Sequence, residues 1–94
     1  MNPTDALQKR YLDVTSRALA MAKAAPVRDE RAHEVLDMAE RYVADAKFFY
    51  EKGDVARSLA ALSYAHGWLD CGARMKLFIV HDNTLFTIDE DDHK

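Results

Sequence analysis

In the stretch Ser63-Tyr64-Ala65-His66-Gly67-Trp68-Leu69-Asp70, an imidazole and a carboxylate stand four residues apart. On a helix that spacing lets the two side chains touch across one turn, with Ser63 one turn back at the edge of the same arc. Such a pair could serve as a general base, or as a metal ligand whose tautomer the carboxylate sets. The other reading is a structural histidine, buried and satisfied by Asp70 or by Tyr42 or Asp45 of the preceding helix, that locks helix register. One His and one Asp fall short of a metal site or a nucleophile's triad, which favours the structural reading. Tyr42, Asp45, Ser63, His66 and Asp70 are therefore a candidate polar pocket, with no catalytic residue, metal or cofactor assigned. His33, His81 and His93 are isolated in sequence and read as surface residues. No Gly-rich phosphate loop, HExxH, GxSxG or Walker pattern occurs.

The same stretch holds two further awkward residues. Gly67 costs about 1 kcal/mol relative to Ala in a helix interior, so a helix that keeps it is expected to meet another backbone there, and again at Gly72. Trp68 and Tyr64 belong to a stripe of Ala61, Tyr64, Trp68, Cys71, Met75 and Phe78. A second stripe of Val55, Leu59, Leu62, His66, Leu69 and Ala73 runs on roughly the opposite side. A helix that is apolar on two sides needs cover on both. Tyr64, Trp68, Cys71, Met75 and Phe78 are accordingly the candidate interaction surface, to be covered by the chain's own tail or by a second copy. On that apolar face Cys71 is expected to be inert. Aromatics at one-turn spacing are core or interface anchors more often than nucleobase platforms, which would want more basic neighbours than Arg74 and Lys76.

Three helices must position these residues. Asn2 with Pro3 makes a cap and first turn, with Thr4 as the alternative cap, and Leu7, Tyr11, Val14, Ala18 and Met21 give a stripe that Pro26 ends near Lys23 to Ala25. A second helix is predicted from Val27 to Asp29 onward, with Asp29 and Glu30 at its positive start, through Val35, Met38, Ala39, Tyr42, Ala46 and Phe49. Gly53-Asp54 is the sharpest punctuation, a left-handed stop followed by a cap. The third helix is predicted from about Val55 to about Phe78. Beyond it, "NTLFTID" has a short extended pattern able to lie across an apolar groove before "DEDDHK" enters solvent.

Composition bounds the class. Ninety-four residues with 49% apolar and 31% charged side chains form one globular domain, and three Gly with two Pro favour a few long helices. A single cysteine excludes an internal disulfide and fits a reducing cytoplasm. No apolar run of spanning length and no signal-peptide pattern is present, which predicts a soluble cytoplasmic protein without a membrane partner. Five of sixteen acids lie from Asp82 onward, so residues 1 to 81 carry 12 basic and 11 acidic groups. That balanced body with an acidic tail argues against a nucleic-acid partner.

The run from Ala39 to Phe78 resembles the archaeal family catalogued as domain of unknown function 357. The likeness rests on Tyr42, Asp45, Ala46, Gly53-Asp54 and the whole of Ser63 to Asp70. It implies a short three-helix bundle of archaeal origin with no assigned activity, cofactor or substrate. The order Tyr42, Ala46, Gly53-Asp54, Ala60, Tyr64 is similar to a tetratricopeptide hairpin, although one hairpin is too few for a solenoid. Arg74 followed by His81 is similar to the arginine and histidine of the helical HEPN nucleases and nucleotide-binding proteins, with Arg74 steadying phosphate and His81 acting as acid or base. Met75 departs from the polar residue usual there.

The expectation is an all-α, antiparallel three-helix bundle over residues 1 to 81 with a partly extended acidic tail over 82 to 94. Its function is that of a non-enzymatic protein-interaction or self-association module, whose partner is a second copy in a homodimer or an unidentified protein. The alternatives are a small enzyme or ligand-binding domain around His66 and Asp70, or a HEPN-like domain using Arg74 and His81.

Overall fold

A computed structural model, describing residues 2–88, contains three helices: α1 (Pro3–Ala24), α2 (Ala32–Glu51) and α3 (Val55–Arg74). Each packs against the other two, and α2 with α3 makes the most extensive pairing, the arrangement of a three-helix bundle. The acidic run from Asp89 lies outside the described residues.

α1 begins at the first of the two caps its sequence offers. Asn2 Oδ1 accepts the Asp5 N–H at 2.9 Å and Pro3 takes the first helical position, where no N–H is needed. The helix stops where Pro26 holds Ala25 extended. Its buried face, however, is Gln8, Thr15, Ala18, Leu19 and Ala22, while Leu7, Tyr11 and Met21 are exposed. Of the apolar stripe read from sequence only Ala18 is buried and Val14 packs against the core, because two of the remaining core positions are polar. Gln8 Nε2 donates to Ser58 Oγ at 3.1 Å, and Ser58 donates to the Ala46 carbonyl at 2.7 Å, which pins all three helices together. Thr15 bonds His66 across α1 and α3.

α2 starts at Ala32, later than predicted, because the residues before it are taken elsewhere. Val27 forms an antiparallel bridge with Phe78, the Arg28 N–H donates to the Leu77 carbonyl, and the Ile79 N–H donates to the Pro26 carbonyl. Asp29 then caps a turn: its carboxylate accepts the Arg31 N–H and guanidinium, and those bonds pull its pKa down to about 2. The α2–α3 hairpin follows expectation. Gly53 takes φ +80, which only glycine adopts without a side-chain clash, and Asp54 Oδ1 accepts the Arg57 N–H at 3.0 Å.

α3 is shorter than predicted, ending at Arg74 in a Schellman closure. Leu77 N–H donates to the Gly72 carbonyl and Lys76 N–H to the Ala73 carbonyl, with Lys76 in the left-handed region at φ 58. The sequence hid this stop because lysine, not glycine, occupies the left-handed position. The buried arc of α3 is Ser58, Ala61, Leu62, Ala65, Leu69, Gly72 and Ala73, a single band lying between the two predicted stripes. Its small members let α2 approach closely. Gly72 is the tight point: a Cβ there would lie 2.5 Å from Phe78 Cε2 and 3.0 Å from Val35 Cγ1. Nothing lies within 4 Å of a Cβ at Gly67, so the close contact expected there is absent within the chain.

After α3 the chain folds back. Leu77, Phe78, Leu85 and Phe86 join the core, with Phe78 and Phe86 edge to face at 6.3 Å. Each buried ring contributes roughly 1.5–3 kcal/mol. The tail segment is a turn at Asn83 to Leu85 rather than a strand.

Candidate functional site

Three residues at four-residue steps on α3, His66, Asp70 and Arg74, grip the returning segment. His66 Nε2 lies 2.7 Å from the Leu85 carbonyl oxygen and Nδ1 lies 3.1 Å from Thr15 Oγ1. The nitrogen facing a carbonyl must carry the hydrogen, so in the neutral ring Nδ1 accepts from the Thr15 hydroxyl. Asp70 Oδ1 accepts the Thr87 N–H at 2.8 Å and Oδ2 accepts the Thr87 hydroxyl at 3.1 Å. Arg74 donates to the Thr87 carbonyl at 3.1 Å. The His66–Asp70 separation is 3.8 Å, too long for a hydrogen bond. The pair read from sequence as imidazole and orienting carboxylate is thus two neighbouring clamps on one segment.

The gripped segment is shaped by its own cap. Asp82 Oδ1 accepts the Thr84 hydroxyl and the N–H groups of Thr84 and Leu85, with the N–H bonds at 2.8 and 3.1 Å. The Thr84 hydroxyl bond, then the two backbone bonds, hold the Asp82 carboxyl below the usual carboxylate range.

The predicted polar pocket does not assemble. Ser63 and His66 border an open cleft of about 220 Å³ with Tyr11, Val14, Thr15 and Leu62, between α1 and α3. Tyr42 and Asp45 lie at a separate hollow on α2 with Met38, Arg41 and Ala44. The partner helix of His66 is α1, not α2, and Asp70 serves the tail. Thr15, Leu85 and Thr87, which complete the clasp, carried no signal in the sequence beyond the apolar pattern at Leu85.

The predicted interaction surface divides. Tyr64, Cys71 and Met75 are exposed, with Cys71 Sγ 3.6 Å from Met75 Sδ. Trp68 is half-buried against the core. Its ring meets Tyr64 edge to face at 6.2 Å, and Tyr64 meets Tyr42 at 4.6 Å. The Trp68 indole N–H is buried and has no acceptor among the described residues. Phe78 is not on this surface, because α3 ends four residues earlier and the fold-back carries its ring into the core. The tail covers the His66 and Asp70 side of α3, which leaves Tyr64 and Met75 uncovered by the described residues.

Arg74, the arginine of the HEPN-like spacing, is bound to the Thr87 carbonyl, and His81 is exposed in the stretch leading to the Asp82 cap. No group of three His, Cys, Asp or Glu able to hold a metal occurs among the described residues, and no described helix is long and apolar enough to cross a membrane.

A family model described as protein of unknown function (DUF357) matches residues 10–78, from the first turns of α1 through the Phe78 anchor. No curated protein and no solved structure matches the chain.

Proposed function

The chain belongs to the DUF357 family, and because that membership brings no activity with it, we propose from the geometry a non-enzymatic interaction module that pairs with a second copy of itself. One observation carries the reading: between Ser58 and Ala73 the exposed residues of α3 are Ala60, Ser63, Tyr64, Gly67 and Cys71, none of them charged. A solvated helix face normally carries charge. Here the small residues would admit a neighbouring helix, and Tyr64 and Met75, 52% and 58% exposed, would flank it. Gly67 then meets in a partner the backbone it does not meet in its own chain. A two-fold axis through this face sets each copy's Tyr64 and Met75 against the other copy.

The enzyme reading around His66 and Asp70 has less support, since both ring nitrogens and both carboxylate oxygens are engaged by Thr15 and the fold-back. The HEPN-like reading has less support because Arg74 donates to the Thr87 carbonyl, which draws its side chain onto the fold-back.

The test is sedimentation equilibrium of the full chain from micromolar to millimolar concentration, beside Tyr64→Glu/Met75→Glu. The expected result is a concentration-dependent dimer that the variant abolishes without loss of helicity. A chain that stays monomeric throughout would overturn self-association.

A further inference from the structure

The segment Asp82 to Ile88 sits in a seat whose polar side chains meet main-chain groups. His66, Asp70 and Arg74, about 6 Å apart along the α3 axis at each step, engage the Leu85 carbonyl, the Thr87 N–H and the Thr87 carbonyl in turn. These groups belong to two residues, Leu85 and Thr87, no more than about 7 Å of chain, on which side chains from about 12 Å of helix converge. Only the bond from the Thr87 hydroxyl to Asp70 reads a side chain. A donor, acceptor, donor ladder that reads backbone is the logic of a peptide-recognition edge, with pockets for side chains supplying selectivity. Those pockets are the core positions filled by Leu85 and Phe86.

Two features make this seat separable from the bundle. The segment is a preformed unit, because Asp82 closes its own turn with Thr84 and Leu85, and a preformed ligand loses little freedom on docking. Upstream, α3 is already closed by its Schellman bonds, and the Val27–Phe78 bridge anchors the chain before the segment begins. Releasing residues 82–88 uncovers Leu85 and Phe86 but opens no helix end.

We propose that the α1–α3 seat is a binding site for a linear segment of a partner protein, and that residues 82–88 are its resident occupant. The partner segment has the chemistry of the resident: a side-chain-capped turn, two adjacent bulky apolar residues, then threonine or serine. The resident competes from an effective concentration in the millimolar range, so the site is read out fully only when the resident is displaced.

The probe is a fluorescein-labelled peptide of residues 82–94, followed by anisotropy against full-length chains. Thr87→Pro removes the N–H that Asp70 accepts and leaves every seat residue in place, so it is expected to bind the peptide about ten-fold or more tighter than the wild-type chain. Adding Asp70→Ala should reverse that gain. Where Thr87→Pro does not fold, millimolar unlabelled peptide added to the wild-type chain is expected to shift the Thr87 amide resonance. Failure of folded Thr87→Pro to bind more tightly, or an unmoved wild-type amide where it does not fold, overturns the proposal. Mass doubling on concentration that Asp70→Ala alone abolishes would give the seat to a second copy's tail, and overturns it equally.

Discussion

Thr15 of α1 and His66 of α3 stand 3.1 Å apart, Oγ1 to Nδ1, while the other nitrogen of the same ring holds the Leu85 carbonyl at 2.7 Å. One imidazole thus joins the first helix, the third helix and the fold-back. His66→Ala leaves a hydroxyl and a carbonyl without their partner, and a loss of about 1–3 kcal/mol is expected in urea denaturation. Faster hydrogen exchange at the Thr87 amide should accompany it, since the clasp loses its first bond. Unchanged stability with unchanged exchange would show that the ring holds nothing in place.

The two glycines of α3 should respond in opposite directions to the same substitution. Gly72→Ala drives a methyl against the Phe78 ring and Val35, and overpacking of this kind costs about 1–3 kcal/mol. Gly67→Ala meets nothing in its own chain and gains roughly 0.5–1 kcal/mol from helix propensity. Melting of dilute protein distinguishes them. At concentrations where copies pair, Gly67→Ala should weaken association, because the methyl stands in the interface.

Gln8 is fully buried, and its Oε1 has no donor among the described residues. Gln8→Met removes that orphan acceptor at similar volume while Ser58 keeps its bond to the Ala46 carbonyl, so stability is expected to hold or rise. Ser58→Ala strips a partner from both Gln8 and Ala46 and should cost about 1–3 kcal/mol. Chemical denaturation of the two variants side by side checks the asymmetry.

Asp82 gives the turn of the fold-back an acid limit. Its pKa is lowered in the folded chain, chiefly by the Thr84 hydroxyl. Its contribution is therefore complete above the unfolded value of about 3.9 and is lost as pH falls through the lower folded value. The Thr84 and Leu85 amide shifts should stay constant down to about pH 4 and move only below it. Asp82→Asn, which keeps an acceptor oxygen without the charge, should lose that acid step.

Much of the architecture was written in local chemistry. The Asn2-Pro3 start, the stop before Pro26 and the Gly53-Asp54 hairpin all depend on groups within a few residues of each other, so the chain order alone reveals them. The end of α3 was hidden for the converse reason: its left-handed residue is Lys76, and nothing about a lysine announces that conformation. The start of α2 was misplaced because Val27 answers to Phe78, fifty-one residues away.

By itself the sequence determined an all-α bundle, its hairpin, and the stretch of α3 where side chains of unusual character gather. Tertiary structure decided what those side chains do. Apolar periodicity placed the α1 core on Leu7, Tyr11, Val14, Ala18 and Met21. Ala18 is buried and Val14 packs on the core, but Leu7, Tyr11 and Met21 are exposed while Gln8 and Thr15 are buried, their polar groups tolerated inside because Ser58 and His66 lie opposite them. His66 and Asp70 looked like one pair because helix spacing brings any residues four apart together. Their actual partners come from α1 and from the fold-back, and a hydrogen bond across fifty residues leaves no periodic trace in the chain that makes it.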